Sequence, residues 1–422
     1  MRLEWVNHAS YTIEHRDFKL LVDPWIEGSA FNNGWDLISK TKQTHEKLSN
    51  ANYIWISHEH PDHFSPAFFQ SIQKGKRKNI TVLFQETRDK RVITFLKNIG
   101  YQTIELPLRN KYKIDSNIEL ICDRVGYLID SYLLLSINGK KILNTNDCII
   151  NNSKTAKNIK KIVGEVDVLL TQFSYANWAG NELDTDYRKE VARQKLKSLS
   201  LQINYLKPKY IIPFASFIYF SHDENFYLNN HINKPNEVYN YLRKNHSISA
   251  MFFYPGEKWN FEESHDSKNS IKMYMQDYDR IAVKHKANKI SKTKLDEAFK
   301  EYKKNIKGYR FFNIIGQLLS KSFETSIFLW DHRKAFSFNH NKGLNIINKK
   351  LSECDYQMSS ESLIYILQFE FGVESLEVNG RFRTKIFNTR DLSYRFFAYV
   401  IKSRNLSFFE LVSRLINRYK HY

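Results

Sequence analysis

Short apolar runs alternate with amphipathic stretches along the first 255 residues of the chain. Leu3–Val6, Ser10–Glu14 and Lys19–Val22 are strand-like runs joined by tight turns, a pattern that is typical of a meander. Similar β-branched and aromatic runs follow at Asn52–Ile56, Ile80–Leu83, Ile118–Ile121, Ser131–Ile137, Lys141–Leu143, Val166–Leu170 and Tyr210–Ile212. Helical periodicity lies between them, most clearly over Asp186–Leu206. This order predicts two sheets covered by helices rather than one parallel sheet.

A turn signal at Tyr254-Pro255-Gly256 marks the predicted domain boundary. We expect a first domain over residues 1–256 and a basic C-terminal region over residues 257–422. Helical patterns occur in the C-terminal region at Ser291–Lys304 and Tyr309–Ser320, and Met358–Phe382 is predicted to form a helix followed by strands. The predicted fold class is α/β with a mixed, mainly helical C-terminal extension. Its role stays open between packing, substrate coverage, dimerisation and docking to an anionic surface.

The net charge of the 422 residues is +19, from 64 Lys and Arg against 45 Asp and Glu. Such a charge favours anionic partners, although a chain rich in Lys, Asn, Ile, Tyr and Phe is also what AT-rich genomes encode by default. No nucleic-acid-binding module is recognisable, which argues against nucleic acid as the partner. The oligomeric state is not predicted.

Composition also bears on the compartment. No apolar run reaches 18 residues, so we expect no transmembrane helix, and the N-terminus lacks the apolar core of a secretory signal. The three cysteines form no CxxC pair, which excludes a zinc finger and a disulfide framework. A reducing cytoplasm fits these features.

The strongest chemical signal is Ser57-His58-Glu59-His60-Pro61-Asp62-His63, directly after the strand-like run Asn52–Ile56. In an extended segment residues i and i+2 point to the same side, so His58 and His60 can share one metal ion. The turn at Pro61 then directs Asp62 and His63 toward a second position. Imidazole and carboxylate ligands at this spacing suit Zn²⁺, Fe²⁺ or Mn²⁺.

This HxHxDH pattern resembles the signature of the metallo-β-lactamase fold superfamily. Within that superfamily, the chain is most similar to the metallo-β-lactamase-like domain of the CMP-N-acetylneuraminate hydroxylases. The likeness extends over residues 3–255 and rests on the motif and on Asn7–Ser10, Leu21–Trp25, Lys141–Cys148, Ile212–Ala215 and Ser221-His222. It implies an αββα sandwich that holds one or two divalent transition metal ions, zinc or iron.

The resemblance also implies a role for each residue of the site. His58 and His60 are expected to bind one metal ion, Asp62 and His63 the other, and Asp147 to bridge both. The side chains expected beneath the metals or near the substrate are His8, Asp23, Trp25, Tyr175 and Trp178. Of these, Asp23 is expected to orient a ligating histidine.

Two positions depart from the superfamily pattern. Gly126 stands where a third histidine for the first metal is expected, and Ala215 stands where the superfamily often has a final histidine. Asp123 or His222 could supply a missing ligand. An open coordination position suits catalysis, whereas a degenerate site suits a binding protein.

Three functions follow from these features. The first is a metal-dependent hydrolase in which Asp62 orients the water or takes its proton, acting on an anionic metabolite such as a nucleotide sugar or glycan precursor. Tyr175 and Trp178 could then stack on the substrate or form a hydrophobic lid. The second is an iron-dependent oxygenase; because the chain has no CxH…CxxH pattern, it would need an external ferredoxin and reductase, or two irons acting together. The third is a non-catalytic binding protein with a degenerate metal site.

Overall fold

The structure is a computed structural model that describes residues 1–126, 130–261, 263–307, 324–340, 342–385 and 391–396. The predicted helix Tyr309–Ser320 lies outside these residues. Among the described residues, every helix is too short or too polar to cross a membrane.

The first sheet has seven strands in the order β16-β1-β2-β3-β5-β6-β7. Its strands are β1 (Arg2–Asn7), β2 (Ser10–His15), β3 (Phe18–Val22), β5 (Tyr53–Ile56), β6 (Thr81–Gln85), β7 (Gln102–Leu106) and β16 (Lys258–Asn260). The antiparallel pairs β1–β2 and β2–β3 form the meander that the sequence predicts, and β3, β5, β6 and β7 run parallel.

The second sheet also has seven strands, in the order β15-β13-β12-β11-β10-β9-β8. Its strands are β8 (Lys111–Lys113), β9 (Ile118–Arg124), β10 (Ser131–Ile137), β11 (Lys140–Asn146), β12 (Val168–Gln172), β13 (Tyr210–Phe214) and β15 (Ser249–Ala250). The hairpin β10–β11 turns at Asn138 and Gly139, whose φ angles of 50° and 78° suit a type I′ turn. A separate pair joins β4 (Trp35–Leu37) and β14 (Ile218–Phe220).

Helices cover the outer faces of both sheets. The helices up to residue 278 are α1 (His45–Leu48), α2 (Pro66–Ser71), α3 (Lys74–Arg77), α4 (Arg91–Asn98), α5 (Ser153–Val163), α6 (Thr185–Leu206), α7 (Pro235–Asn245) and α8 (Ser267–Tyr278). Alternate residues of a strand face opposite sides, so Ile54 packs under α2 and α4 while Trp55 lies in the core shared by the two sheets. The layers are therefore helix, sheet, sheet, helix, which confirms the predicted αββα sandwich.

The C-terminal region is mixed, as predicted, and has a core of its own. Its five-stranded sheet has the order β19-β18-β17-β20-β21, with β17 (Thr325–Leu329), β18 (Lys334–Asn339), β19 (Gly343–Ile347), β20 (Tyr356–Met358) and β21 (Arg383–Thr384). Its helices are α9 (Lys292–Lys307), α10 (Ser360–Gln368), α11 (Gly372–Asn379) and α12 (Asp391–Arg395). Strand β16 and helix α8 instead pack on the first core through Trp259, Ile271 and Tyr274. The division at residue 256 stays a prediction.

One local prediction in this region is wrong. Residues Met358–Phe382 were expected to form a helix followed by strands, but they form the two helices α10 and α11 before the short strand β21. Asn379-Gly380 ends α11, because Gly380 has a left-handed φ of 69° and its N–H bonds to Leu376 O. A glycine after a helix and a glycine in a hairpin turn give the same sequence signal.

Candidate metal centre

The site lies at one edge of the sandwich, where the chain leaves several strands. His8 is in the turn between β1 and β2, and Asp23 follows β3. The motif 57–63 follows β5, and Asn146 ends β11 of the second sheet. Asp23 links the two sheets, since its Oδ2 accepts a hydrogen bond of 2.7 Å from Asn146 Nδ2. Polar groups of both sheets therefore meet at this edge.

The first group of candidate ligands consists of His58, His60 and Asp130. Ser57 Oγ lies 2.9 Å from His58 Nδ1, and His58 Nε2 faces His60 Nδ1 at 2.9 Å. Asp130 Oδ1 lies 3.7 Å from His58 Nε2. One candidate ligand atom from each of the three residues lies within 4.8 Å of the others. Two imidazole nitrogens and a carboxylate oxygen thus converge on one position.

The second group consists of Asp62, His63 and Asp147 and is centred on the His63 ring. His63 Nε2 lies 3.1 Å from Asp62 Oδ2 and 3.4 Å from Asp147 Oδ2. His8 Nε2 lies 3.3 Å from the same oxygen of Asp62, and His8, Asp62 and His63 also have the spacing of a metal site. His8, expected beneath the metals, is therefore a fourth candidate ligand here.

Asp147 lies where the two groups meet. Candidate ligand atoms of His58, His63 and Asp147 are within 4.8 Å of one another. Both histidines are fully buried, whereas Asp147 is partly exposed. A carboxylate at such a place can bridge two cations about 3.5–4 Å apart.

Asp23 holds the second group from below. Its Oδ2 lies 3.0 Å from His63 Nδ1, so the opposite ring nitrogen of His63 faces Asp62. The same carboxylate accepts hydrogen bonds from the backbone N–H and the hydroxyl of Ser57, each at 2.8 Å. Trp25 packs edge-on against His8 with the ring centres 5.6 Å apart. The structure thus places Asp23 and Trp25 beneath the candidate ligands.

Burial dominates the electrostatics of the first group. It lowers the pKa of His58 well below its usual range, and the nearby His63 and His60 add to this effect. Burial also lowers the pKa of His60, against the opposing charge of Asp62. Both rings of this group are therefore stored neutral, the form that binds a metal ion.

The second group has the opposite balance. Burial would lower the pKa of His63, but Asp62, Asp147 and Asp23 together raise it well above its usual range. Burial would raise the pKa of Asp62, but the charge and hydrogen bond of His63, with help from His8, lower it well below its usual range. Without a metal ion, a protonated His63 therefore pairs with an ionised Asp62.

The donor set fits a divalent transition metal ion. Imidazole nitrogens and carboxylate oxygens suit zinc and iron alike. Asp62 Oδ1 is buried and has no hydrogen-bond partner among the described residues. A buried carboxylate oxygen without a partner is costly, and a metal ion would satisfy it.

A family comparison agrees with this geometry. The family model described as the beta-lactamase superfamily domain matches residues 2–215, which is half of the chain. The chain belongs to the β-lactamase superfamily. The resemblance inferred from the HxHxDH motif is thereby confirmed.

Within this superfamily, the chain is similar to the cytidine monophosphate-N-acetylneuraminic acid hydroxylases. The protein of Macaca mulatta is 26% identical over 274 residues, covering 61% of this chain and 45% of that protein. The protein of Mus musculus is 26% identical over 274 residues, covering 61% of this chain and 46% of that protein. The chain spans about half the length of these relatives.

The solved structures that the chain resembles are more distant in sequence. The diiron β-hydroxylase CmlA from Streptomyces venezuelae has a TM-score of 0.43 at 14% identity, covering 62% of this chain and 54% of that one. A possible metal-dependent hydrolase from Veillonella parvula has a TM-score of 0.45 at 12% identity, covering 61% of this chain and 98% of that one.

Asp130 is the site residue that the sequence analysis missed. The superfamily histidine expected before β10 is replaced by Gly126, whose left-handed φ is 65°. Asp130 directly precedes β10 and places its carboxylate beside His58 instead. The available signal was an aspartate at the start of a strand that follows the expected histidine position.

The two alternative ligands proposed from the sequence lie elsewhere. Asp123 accepts hydrogen bonds from Arg109 Nε at 3.0 Å and from the Tyr132 hydroxyl at 3.2 Å, which occupy its Oδ2. His222 Nδ1 lies 2.8 Å from Asp223 and accepts a hydrogen bond from the backbone N–H of Glu224 at 3.2 Å. Neither belongs to a candidate metal group among the described residues. The expectation that either residue replaces a missing ligand is wrong.

Gln172 and Lys195 occupy the space beside Ala215, where the superfamily often has a histidine. Gln172 Nε2 lies 3.3 Å from Asp147 Oδ1 and 3.4 Å from Ala215 O. Lys195, on α6, donates a hydrogen bond to Gln172 Oε1. Burial lowers the pKa of the Lys195 amine, and the nearby charges of Asp147 and Asp130 oppose this fall. A cation is thus directed at the candidate site from the second sheet's helix layer.

Tyr175 and Trp178 do not line the site. Both side chains are 1% exposed, so neither presents a free face to a substrate. The Tyr175 hydroxyl donates to Leu228 O, and the Trp178 ring stacks on Phe382 of the C-terminal region at 5.4 Å. The structure does not bring these two aromatic residues to the candidate ligands, and their role as substrate contacts or as a hydrophobic lid stays a prediction.

Several strand ends at the site have unusual backbone conformations. His8, Asp23, Asn146 and Ala215 have φ angles of 42°, 38°, 48° and 51°, in the left-handed region that L-residues seldom adopt. Such conformations cost free energy and persist where the surrounding structure enforces them. They turn the chain sharply and bring these residues to the same edge.

Proposed function

We propose that the chain is a metal-dependent hydrolase that acts on a small anionic metabolite, such as a nucleotide sugar or a glycan precursor. The observation that carries this proposal is the pair of adjacent ligand groups, with Asp147 at their junction. When bound there, two divalent metal ions would supply an activated water and polarise a substrate oxygen.

The side chains of the site would prepare this chemistry in distinct ways. Asp23 keeps His63 oriented through its Nδ1, and Ser57 does the same for His58. The lowered pKa of Asp62 keeps this carboxylate ionised, so we assign it the task of accepting a hydrogen bond and orienting the water. The role of general base suits Asp62 less, because a weakly basic carboxylate is a poor proton acceptor near neutral pH.

The position of Lys195 supports the proposal that the substrate is anionic. Its amine is directed at the junction of the two groups through Gln172, and the net charge of the chain is +19. The similar hydroxylases are named for a cytidine monophosphate sugar, which is itself an anionic nucleotide sugar. A phosphate or carboxylate bound beside the metals would find a counter-charge in this amine.

An iron-dependent oxygenase is the second candidate. The names of the similar relatives favour it, and nitrogen and oxygen ligands suit iron as well as zinc. Because the chain has no CxH…CxxH pattern, such an enzyme would take electrons from an external ferredoxin and reductase, or use two irons together. We place either enzyme in a reducing cytoplasm, since all three cysteines are free and buried.

Metal analysis of the chain, purified without chelators, tests the proposal. Zinc together with hydrolytic release of product from a nucleotide sugar supports the hydrolase. Iron with oxygen-dependent product formation instead selects the oxygenase. Absence of a stoichiometric transition metal would overturn both and leave the binding protein with a degenerate site.

Lys195→Met gives a second readout on the substrate class. Loss of a hydrogen bond to a charged group should raise KM for the anionic substrate about tenfold, with little change in kcat. Lys197→Met removes an exposed lysine of the same helix and is the matched control. Equal KM values for the two variants would contradict the role of Lys195.

A further inference from the structure

The C-terminal region forms hydrogen bonds and close contacts with a loop of the first domain, Phe31–Gly34. Asn379 Nδ2, at the end of α11, donates a hydrogen bond of 2.9 Å to Phe31 O. Arg381 Nη1 donates one of 2.7 Å to Asn32 O. A Cβ added at Gly34 would lie 2.4 Å from Asn379 Cβ, so the two segments meet without space for any side chain at residue 34.

Hydrogen bonds from Ser221 and Asn225 to Gly34 O, together with those from the C-terminal region, hold this loop in an unusual conformation. Phe31, Asn32 and Asn33 are consecutive residues with left-handed φ angles of 49°, 53° and 58°. The left-handed region is unfavourable for Phe and better tolerated by Asn, so contacts from other segments that hold this loop give it support. Asn379 and Arg381 supply part of that support through the backbone oxygens of Phe31 and Asn32.

This loop carries a ring to the metal centre. The ring of Phe31 packs edge-on against His60 with the ring centres 5.6 Å apart and an interplanar angle of 70°. On its other side, Phe31 packs against Trp35 at 4.4 Å. His60 is a half-buried member of the first group, and Phe31 fixes one side of its ring.

The C-terminal region also contacts the first domain at a second place, the start of α4. Arg91 Nη1 forms an ion pair with Glu370 at 3.2 Å, and its guanidinium lies 4.5 Å from the ring centre of Phe371. Glu370 and Phe371 therefore contact the first residue of α4.

A buried ion pair holds the segment in place. The side chain of Arg381 is fully buried and bonds to Glu224 at 2.7 Å and to Glu361 at 2.6 Å. A buried guanidinium without these carboxylates would be strongly destabilising. The clamp spans both regions, because Glu224 belongs to the first domain and Glu361 to α10.

We propose that the C-terminal region is a positioning part of the metal centre: Asn379 and Arg381 hold the loop Phe31–Gly34, and Phe31 orients His60 for the first group. The inference rests on the metal binding of the proposed function. It assigns the C-terminal region a role beyond packing, because Asn379 and Arg381 would set the orientation of the metal-ligating residue His60 through the loop Phe31–Gly34.

The test is a Co²⁺ titration of the metal-free full chain, followed by the visible absorption of the bound ion. Asn379→Ala should weaken one of the two binding steps about ten- to a hundredfold, as is typical when a group that orients a ligand is removed. The affected step should be the one that Asp130→Ala eliminates. Phe31→Leu keeps an apolar side chain of similar size and should weaken the same step.

Asn181→Ala is the matched control. Asn181 also bonds to the C-terminal region, through Thr384 O at 2.7 Å and Thr384 N at 2.9 Å, but it does not contact the loop Phe31–Gly34. We expect its Co²⁺ binding to equal that of the unaltered chain. Circular dichroism identifies any variant that fails to fold, and Phe31→Leu then decides the question.

The outcomes separate the two proposals. If the unaltered chain binds no Co²⁺, the proposed function fails and the inference falls with it. If the unaltered chain binds Co²⁺ and Phe31→Leu binds it equally well, only the inference is overturned. Equal weakening by Asn181→Ala and Asn379→Ala would likewise overturn it, since docking in general rather than this loop would be responsible.

Discussion

The two ligand groups share one edge of the sandwich, yet the pKa values of His58 and His60 in the first group and of His63 in the second are shifted in opposite directions. In the first group, His58 and His60 are buried among other imidazoles, and their pKa values are lowered. In the second group, three carboxylates surround His63 and raise its pKa despite its burial. Carboxylates near a buried imidazole thus oppose the effect of burial on its pKa and favour the protonated form over the neutral form that binds a metal ion.

The largest expected effect separates the groups by removing one ligand from each. His60→Ala should abolish metal retention by the first group, and His63→Ala should strongly weaken that of the second, where His8 remains as a candidate ligand. Metal analysis after gel filtration measures the loss, with little change in the circular dichroism spectrum. His45→Ala, a histidine outside both groups, is the control. Full metal content in His60→Ala would contradict the assignment of the first group.

Asp130 and Asp123 provide a direct test of which carboxylate completes the first group. Asp130→Ala should remove the Co²⁺ step of this group, because its carboxylate faces His58. Asp123→Ala removes an acidic residue of the neighbouring strand that bonds to Arg109 and Tyr132 instead. It should leave both steps intact. The reverse result would restore the assignment made from the sequence.

Asp23→Asn should weaken the second group by about ten- to a hundredfold in metal affinity. The first group should weaken less, because Asp23 contacts His63 directly but reaches His58 only through Ser57. The carboxylate accepts from Ser57, Asn146 and His63, and an amide at residue 23 cannot accept from all of them. A His63 ring that loses this acceptor can place its proton on Nε2, the nitrogen that faces the candidate metal. Co²⁺ titration measures the effect, and equal weakening of both steps would contradict the separation of the groups.

The smallest expected effect is a difference in pH dependence. His63 must lose its proton to bind a metal ion, and its pKa is raised, so affinity at the second group should fall about tenfold for each pH unit below that pKa. The first group has lowered pKa values and should change little between pH 8 and the usual pKa of histidine, about 6.5. Co²⁺ titrations at several pH values, with proton release measured in weakly buffered solution, test this. Parallel curves would contradict it.

The metal motif and the sandwich were predictable because their signals are local. A short run of β-branched and aromatic residues identifies strands such as Tyr53–Ile56. The spacing of His58 and His60 places both side chains on one side of an extended segment. Asp130 follows a segment without periodicity, so only the fold shows that it faces His58.

Long-range packing explains why two predicted site residues lie away from the candidate ligands. Trp178 is an exposed aromatic candidate when only its own loop is considered, but the C-terminal region covers it through Phe382. His222 lies near the first domain's last motif in sequence, yet the region around Arg381 surrounds it and burial lowers its pKa to about 3. Contacts between distant segments leave no trace in local spacing.

The left-handed residues at the strand ends have a consequence for how this protein responds to selection. Four residues adopt backbone conformations that are less unfavourable for glycine: His8, Asp23, Asn146 and Ala215. Selection for heat resistance alone will favour substitutions that remove these strained conformations. Relief of strain at a functional site commonly increases stability at the expense of activity. A thermostable variant obtained in that way should therefore keep the αββα fold and bind metal ions more weakly.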